Sequence, residues 1–109
     1  MRDEPEYTIG SGNVFADLGL PDSDELIVKA EITRQISSII EHRHLTQVQA
    51  AELLGTTQPR VSDLVRGKLE KFSMDQLLQF LTALDRDVEI IIRRKPRGRA
   101  HGQIRVAAG

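Results

Sequence analysis

The 109-residue sequence has no cysteine and no tryptophan, only one tyrosine and three phenylalanines. Without cysteine there is no disulfide framework, thiol nucleophile, zinc knuckle or iron–sulfur ligation. Apolar runs stop after a few residues, far short of the ~20 that span a bilayer, so no membrane is expected as a partner. The opening MRDEPEYTIGSG is acidic and has no apolar stretch behind a basic start. That argues against a secretory signal or transit peptide and for a cytoplasmic protein. The histidines are equally uninformative as ligands: His42 and His44 are two apart on different helix faces, and His101 lies near the end of the chain. No metal box, nucleophile–base pair or phosphate loop is present, so neither a cofactor nor an enzyme is expected.

What the chain does have is charge, unevenly spread. The total of 15 Lys and Arg against 16 Asp and Glu gives a net −1. Residues 1–31 hold two bases and eight acids, net −6, whereas residues 93–109 hold six bases and no acid. An acidic head and a basic tail point to two differently charged partners, or to a tail that binds polyanions, against the plainer reading of solvated charge. The length fits one small domain whose modest core would gain from a second subunit.

The segmentation follows from helix start and stop signals. Residues 1–21 form an acidic arm, in which Val14, Phe15, Leu18 and Leu20 of NVFADLGLP are expected to dock on the body. A first helix begins at Asp22, which forms a capping box with Glu25, carries the stripe Val28, Ile32, Ile36, Ile39 and Ile40, and ends near His42 to His44. Thr46 with Gln49 caps a second helix with Val48, Ala51 and Leu54 inside and Gly55 at its end. Thr57 caps a short third helix that holds Pro59 in its first turn and stops at Gly67. Ser73 with Gln76 caps a fourth, with Phe72 and Leu77 as the hydrophobic staple and Phe80, Leu81 and Leu84 along the stripe.

Residues 22–86 thus make an all-helical body, followed by a β-branched segment, 87–95, in which Val88 to Arg94 alternates as a strand. A lone strand needs a mate, from Tyr7 to Phe15 of the same chain or from a second subunit across a two-fold axis, where it would serve dimerisation. Pro96, Gly98 and Gly102 make 96–109 a basic flexible tail.

Gln47 to Arg66 meets the physical requirements of a DNA-binding helix-turn-helix. Two helices crossing steeply over a short turn need a small residue where they touch and a residue tolerant of positive φ in the turn, and Ala51 and Gly55 supply these. Val61, Leu64 and Val65 anchor the second helix, leaving Gln58, Pro59, Arg60, Ser62, Asp63 and Arg66 on its other face. A Gln at its head pairs with adenine N6 and N7, and Arg60 and Arg66 reach guanine or phosphate. Ser62 tolerates either, and Asp63 accepts from cytosine N4. Lys68 and Lys71 in the following loop are phosphate contacts, so Lys68→Ala is expected to weaken all sequences alike. Taken singly, each of these residues is as well read as an ordinary exposed helix former; taken together, the buried pattern and the exposed face agree.

The run LTQVQAAELLGTTQPRVSDLVRG resembles the XRE/Cro family of helix-turn-helix regulators, which includes phage repressors and many antitoxins. The likeness covers roughly residues 24–85. The NVFADLGLPD arm and the strand after the fourth helix are similar to a HigA-like antitoxin subgroup. The resemblance implies a lambda-repressor-like bundle, here of four main helices with one C-terminal strand in place of a fifth helix. It also implies a homodimer that reads a pseudo-palindromic operator through the recognition helix 57–66, with Gln47 clamping phosphate and Thr57 both capping the helix and touching the DNA backbone. As the antitoxin of a type II toxin–antitoxin operon, the chain would also bind a small basic ribonuclease, which the acidic head suits. The other reading is a protein-interaction module that keeps the helix-turn-helix as a scaffold. RRKPRGRA is similar to an AT-hook core, with Ala100 where that motif has a second proline, and serves equally as a phosphate arm or a solubilising tail.

Overall fold

A computed structural model of the protein describes residues 6–7 and 22–107. In chain order they form β1 (Glu6–Tyr7), α1 (Asp22–His42), α2 (Gln47–Leu54), α3 (Gln58–Val65), a 3₁₀ turn (Leu69–Lys71), α4 (Met74–Ala83) and β2 (Ile90–Ile91). This is the expected bundle of four helices with a C-terminal strand. The expected docking of Val14, Phe15, Leu18 and Leu20 lies outside the described residues, as does the side chain of Asp22, on which the first capping box rests.

The α1 stripe is buried throughout: Val28, Ile32, Ile36, Ile39 and Ile40 form the spine on which α3 and α4 pack. Leu64, Leu77, Phe72 and Leu84 close the core, and Phe72 meets Phe80 edge to face, ring centroids 6.1 Å apart. Both capping boxes read from Thr46–Gln49 and Ser73–Gln76 are made in full. Arg43, at the end of α1, donates to Leu84 O at 2.8 Å and faces Asp85 at 3.7 Å, tying α1 to the end of α4.

All four helices end in the same way. A residue at positive φ reverses the chain, its N–H bonds a carbonyl three residues back and the next N–H bonds one five residues back, as in Thr56 N to Ala51 O and Lys68 N to Asp63 O. Glycine fills the reversing position after α2 (Gly55, φ 72) and α3 (Gly67, φ 77), but His44 (φ 55) and Asp85 (φ 63) fill it after α1 and α4. The two glycines mark their stops in the sequence; the other two stops are reached against the side chain's preference.

Three expectations are corrected. Val48 is not on the inner side of α2 but 56% exposed, because Ala50, Ala51 and Leu54 make the contact face and small residues let the helices close there. Val65 does not anchor α3: Val61 and Leu64 are buried, whereas Val65, a further 100° round the helix, is 41% exposed beside an open groove against α1. The strand expected over Val88 to Arg94 is limited to Ile90–Ile91, since its mate Glu6–Tyr7 is only two residues long. That mate comes from the same chain, antiparallel, with Glu6 opposite Ile91 and Tyr7 opposite Ile90. Past Pro96 the described residues of the expected tail, up to 107, have no regular secondary structure, and Ile104 and Val106 are partly buried against the core.

Candidate nucleic-acid interface

Viewed down α3 at 100° per residue, Val61 and Leu64 point inward, and Pro59, Ser62, Asp63 and Arg66 lie opposite. Gln58 and Arg60 fall on the two flanks, and each is tied to a neighbouring element. Gln58 Nε2 donates to Gln47 Oε1, joining the first residue of α3 to the first residue of α2. Arg60 is held on the other side. Its guanidinium lies 4.4 Å from the centre of the buried Phe72 ring and donates to Lys71 O at 3.1 Å and to Gln76 Oε1 at 3.4 Å. A helix of eight residues with two buried side chains is thus held by polar tethers as well as by its apolar face.

Asp63 is held too. Its carboxylate accepts from Lys71 Nζ at 3.2 Å and pairs with Lys68 Nζ at 3.6 Å, which leaves its side chain 19% exposed. The Lys71 ammonium, and more weakly the Lys68 charge, hold the carboxyl below the usual aspartate range. The two lysines expected at phosphates therefore sit beside the face of α3, sharing one counter-anion.

The remaining expected site residues are disposed as follows. Thr57 occupies the N-cap position of α3 with extended backbone, but its hydroxyl makes no capping bond, unlike Thr46 and Ser73. This corrects the expected cap and leaves the hydroxyl at the surface, in an exposed residue. Pro59 falls in the first turn, where no intrahelical donor is lost. Ser62 is half-buried and Arg66 exposed at the C-cap. The structure thus brings Gln47, Thr57, Gln58, Pro59, Ser62 and Arg66 to one surface, with the Asp63–Lys68–Lys71 cluster at its edge and Arg60 turned away toward α4. Sequence reasoning did not find Phe72 and Gln76 as supports of α3, and no local signal marks them, because they lie 12 and 16 positions from Arg60.

Three comparisons with known proteins bear on this surface. Residues 14–93 match the family described as "Helix-turn-helix domain". A solved structure named "Putative XRE Family Transcriptional Regulator" is similar at a TM-score of 0.78 and 45% identity, covering 82% of this chain and 100% of that one. No curated protein matches the chain.

Proposed function

Because the chain belongs to the XRE-type helix-turn-helix transcriptional regulators, a DNA-binding family, we propose that it is a sequence-specific repressor reading a pseudo-palindromic operator as a homodimer, with α3 in the major groove. The observation that carries this is the tether between Gln58 and Gln47, which presents the heads of α2 and α3 as one unit. The bond spends one N–H of Gln58, leaving its second N–H and its Oε1 for adenine N7 and N6. Gln47, at the N-terminus of α2, stands where helix amides favour a phosphate. Arg66 supplies the charge for a guanine or a backbone contact.

Dimerisation sets the spacing of the two α3 helices at about 34 Å, one turn of DNA. The 87–95 segment suits that role: among the described residues β2 belongs to a sheet of two strands with nothing paired on its other edge, and Ile92 beside it is 52% exposed. We assign the chain further as the antitoxin of a type II toxin–antitoxin pair. The net −6 of residues 1–31 would speed association with a small basic ribonuclease, and the site of action would be the cytoplasm, where the DNA is.

The deciding experiment is fluorescence anisotropy with a duplex from immediately upstream of the gene, against a shuffled duplex, at two salt concentrations. A preference of roughly a thousandfold or more for the upstream duplex supports the repressor. Equal binding to both, erased by salt, would mean that only the basic tail touches DNA, and the protein-interaction scaffold would replace the repressor. For the antitoxin assignment, a neighbouring reading frame of high isoelectric point should encode a protein that co-purifies with this chain, and its absence would remove the assignment.

A further inference from the structure

A carboxylate on the outward side of a helix that enters a groove lined by phosphates needs a reason to be there. Asp63 is on that side of α3, opposite Val61 and Leu64, and it faces two ammonium groups at 3.2 and 3.6 Å. Both lysines come from the segment that follows α3, and the backbone of that segment is fixed: Lys68 N bonds Asp63 O at 3.0 Å, and Lys71 O accepts from Arg60. The cluster of one acid and two bases presents a net +1 instead of +2. The two ammoniums share one counter-charge, so an arbitrary phosphate gains less by approaching them and meets the repulsion of the carboxylate as it does.

We propose that Asp63 is a specificity-determining residue that acts through charge: it holds Lys68 and Lys71 as internal ion pairs, withholding them from non-specific DNA and releasing them to phosphates only when α3 is seated on its operator. This rests on the repressor reading above and revises two expectations within it. Asp63 reads no cytosine, and the lysines do not contribute equally on all sequences. The lysine side chains are half exposed, so turning from the carboxylate to a phosphate requires only rotamer changes. On the operator, the base contacts of Gln58 and Arg66 hold the phosphates close enough for that exchange. On other sequences α3 is not held there, and the pairs stay closed.

The test is a salt titration of binding to the upstream duplex and to its shuffled counterpart, for the full-length wild type, Asp63→Asn and the double variant Lys68→Gln/Lys71→Gln. Asp63→Asn keeps the shape and removes the charge. It should bind the shuffled duplex more tightly and steepen the salt slope on it by about 0.9 for each lysine released, up to about 1.8. The gain over wild type should then shrink by roughly three- to fourfold per released lysine between 50 and 200 mM salt, and the preference for the upstream duplex should fall. The double variant turns the cluster from +1 to −1 and should therefore weaken binding to both duplexes, but to the upstream one by clearly more, because only there are the lysines engaged with phosphates; this arm decides the matter even if Asp63→Asn is poorly folded.

If Asp63→Asn leaves the shuffled slope unchanged, or relaxes discrimination at a single base pair, the inference is overturned while a wild type that prefers its upstream duplex still upholds the repressor. Equal loss on both duplexes in the double variant also overturns it, making the lysines plain phosphate contacts. A wild type with no preference between the duplexes removes the repressor reading itself, and this inference with it.

Discussion

Replacing Arg60 by methionine separates a residue that reads DNA from one that positions the helix that reads it. Arg60→Met keeps most of the stem and removes the charge. Its guanidinium is 4.4 Å from the Phe72 ring centre, a cation–π contact worth about 0.5–1 kcal/mol at a partly exposed site. The bond to Lys71 O at 3.1 Å adds a charged donor to a carbonyl, about 1.5 kcal/mol at the lower end of such bonds. The contact with Gln76 Oε1 at 3.4 Å is near the limit of useful geometry, and that oxygen is already engaged by the Ser73 N–H at 3.0 Å, so it adds little. The substitution should therefore cost about 2 kcal/mol in urea denaturation, a fall in Tm of roughly 8 °C for a domain of this size. Arg60→Lys keeps a cation for the ring and should recover about half the loss. At a temperature where the variant remains folded, its salt slope on DNA should match that of wild type. Wild-type stability together with a slope flattened by about 1 would refute the argument and return Arg60 to the phosphate contacts.

Three further outcomes follow from the same geometry. A Cβ at Gly55 would meet nothing within 4 Å, so Gly55→Ala should cost only the left-handed backbone, about 1–2 kcal/mol, and His44→Gly should give a smaller gain for the same reason; denaturation midpoints check both signs. If the proposed dimer forms through the 87–95 segment, Ile92→Asp should convert it to a monomer in light scattering and weaken operator binding, with the far-ultraviolet circular dichroism unchanged; a persisting dimer would move the interface elsewhere. Asp63, held below its usual value of 3.8, contributes stability that is fully present above that value and lost as pH falls through the depressed one. The difference in stability between wild type and Asp63→Asn should therefore be constant near neutral pH and close below about pH 3.8, and a difference that persists in acid would show that the pair does not stabilise the fold.

Elements whose signals are local were legible in the sequence. A capping box needs only a hydroxyl and an amide three residues on, so Thr46–Gln49 and Ser73–Gln76 could be read directly. The α1 stripe is long enough for its period to be unambiguous, and Gly55 and Gly67 announce two of the four helix ends. Short elements were less legible. In an eight-residue helix one misassigned residue turns the inner face, as Val48 and Val65 show. The length of β2 was not encoded in VEIIIRR at all, because a ladder extends only as far as its partner, and the partner lies more than 80 positions away.

The candidate site shows a deeper limit of the same kind. Its residue types were identified from the exposed face of α3, but a polar side chain on such a face has two uses that composition does not distinguish: to touch DNA or to hold the helix that does. Two buried residues in eight leave α3 weakly anchored, so its polar groups must supply positioning as well as recognition. Arg60 is fully engaged in positioning, through partners that follow it by 11 to 16 positions. Gln58 holds α3 with half its amide on Gln47, and the unspent half is what the proposed repressor would use to read a base. The Arg66 side chain makes no hydrogen bond or ion pair among the described residues, and in the proposed repressor it is left for recognition. For the proposed repressor, specificity would then rest on fewer side chains than the face displays, each set more rigidly, so less side-chain entropy would be lost on binding, which favours a short helix as the reading element.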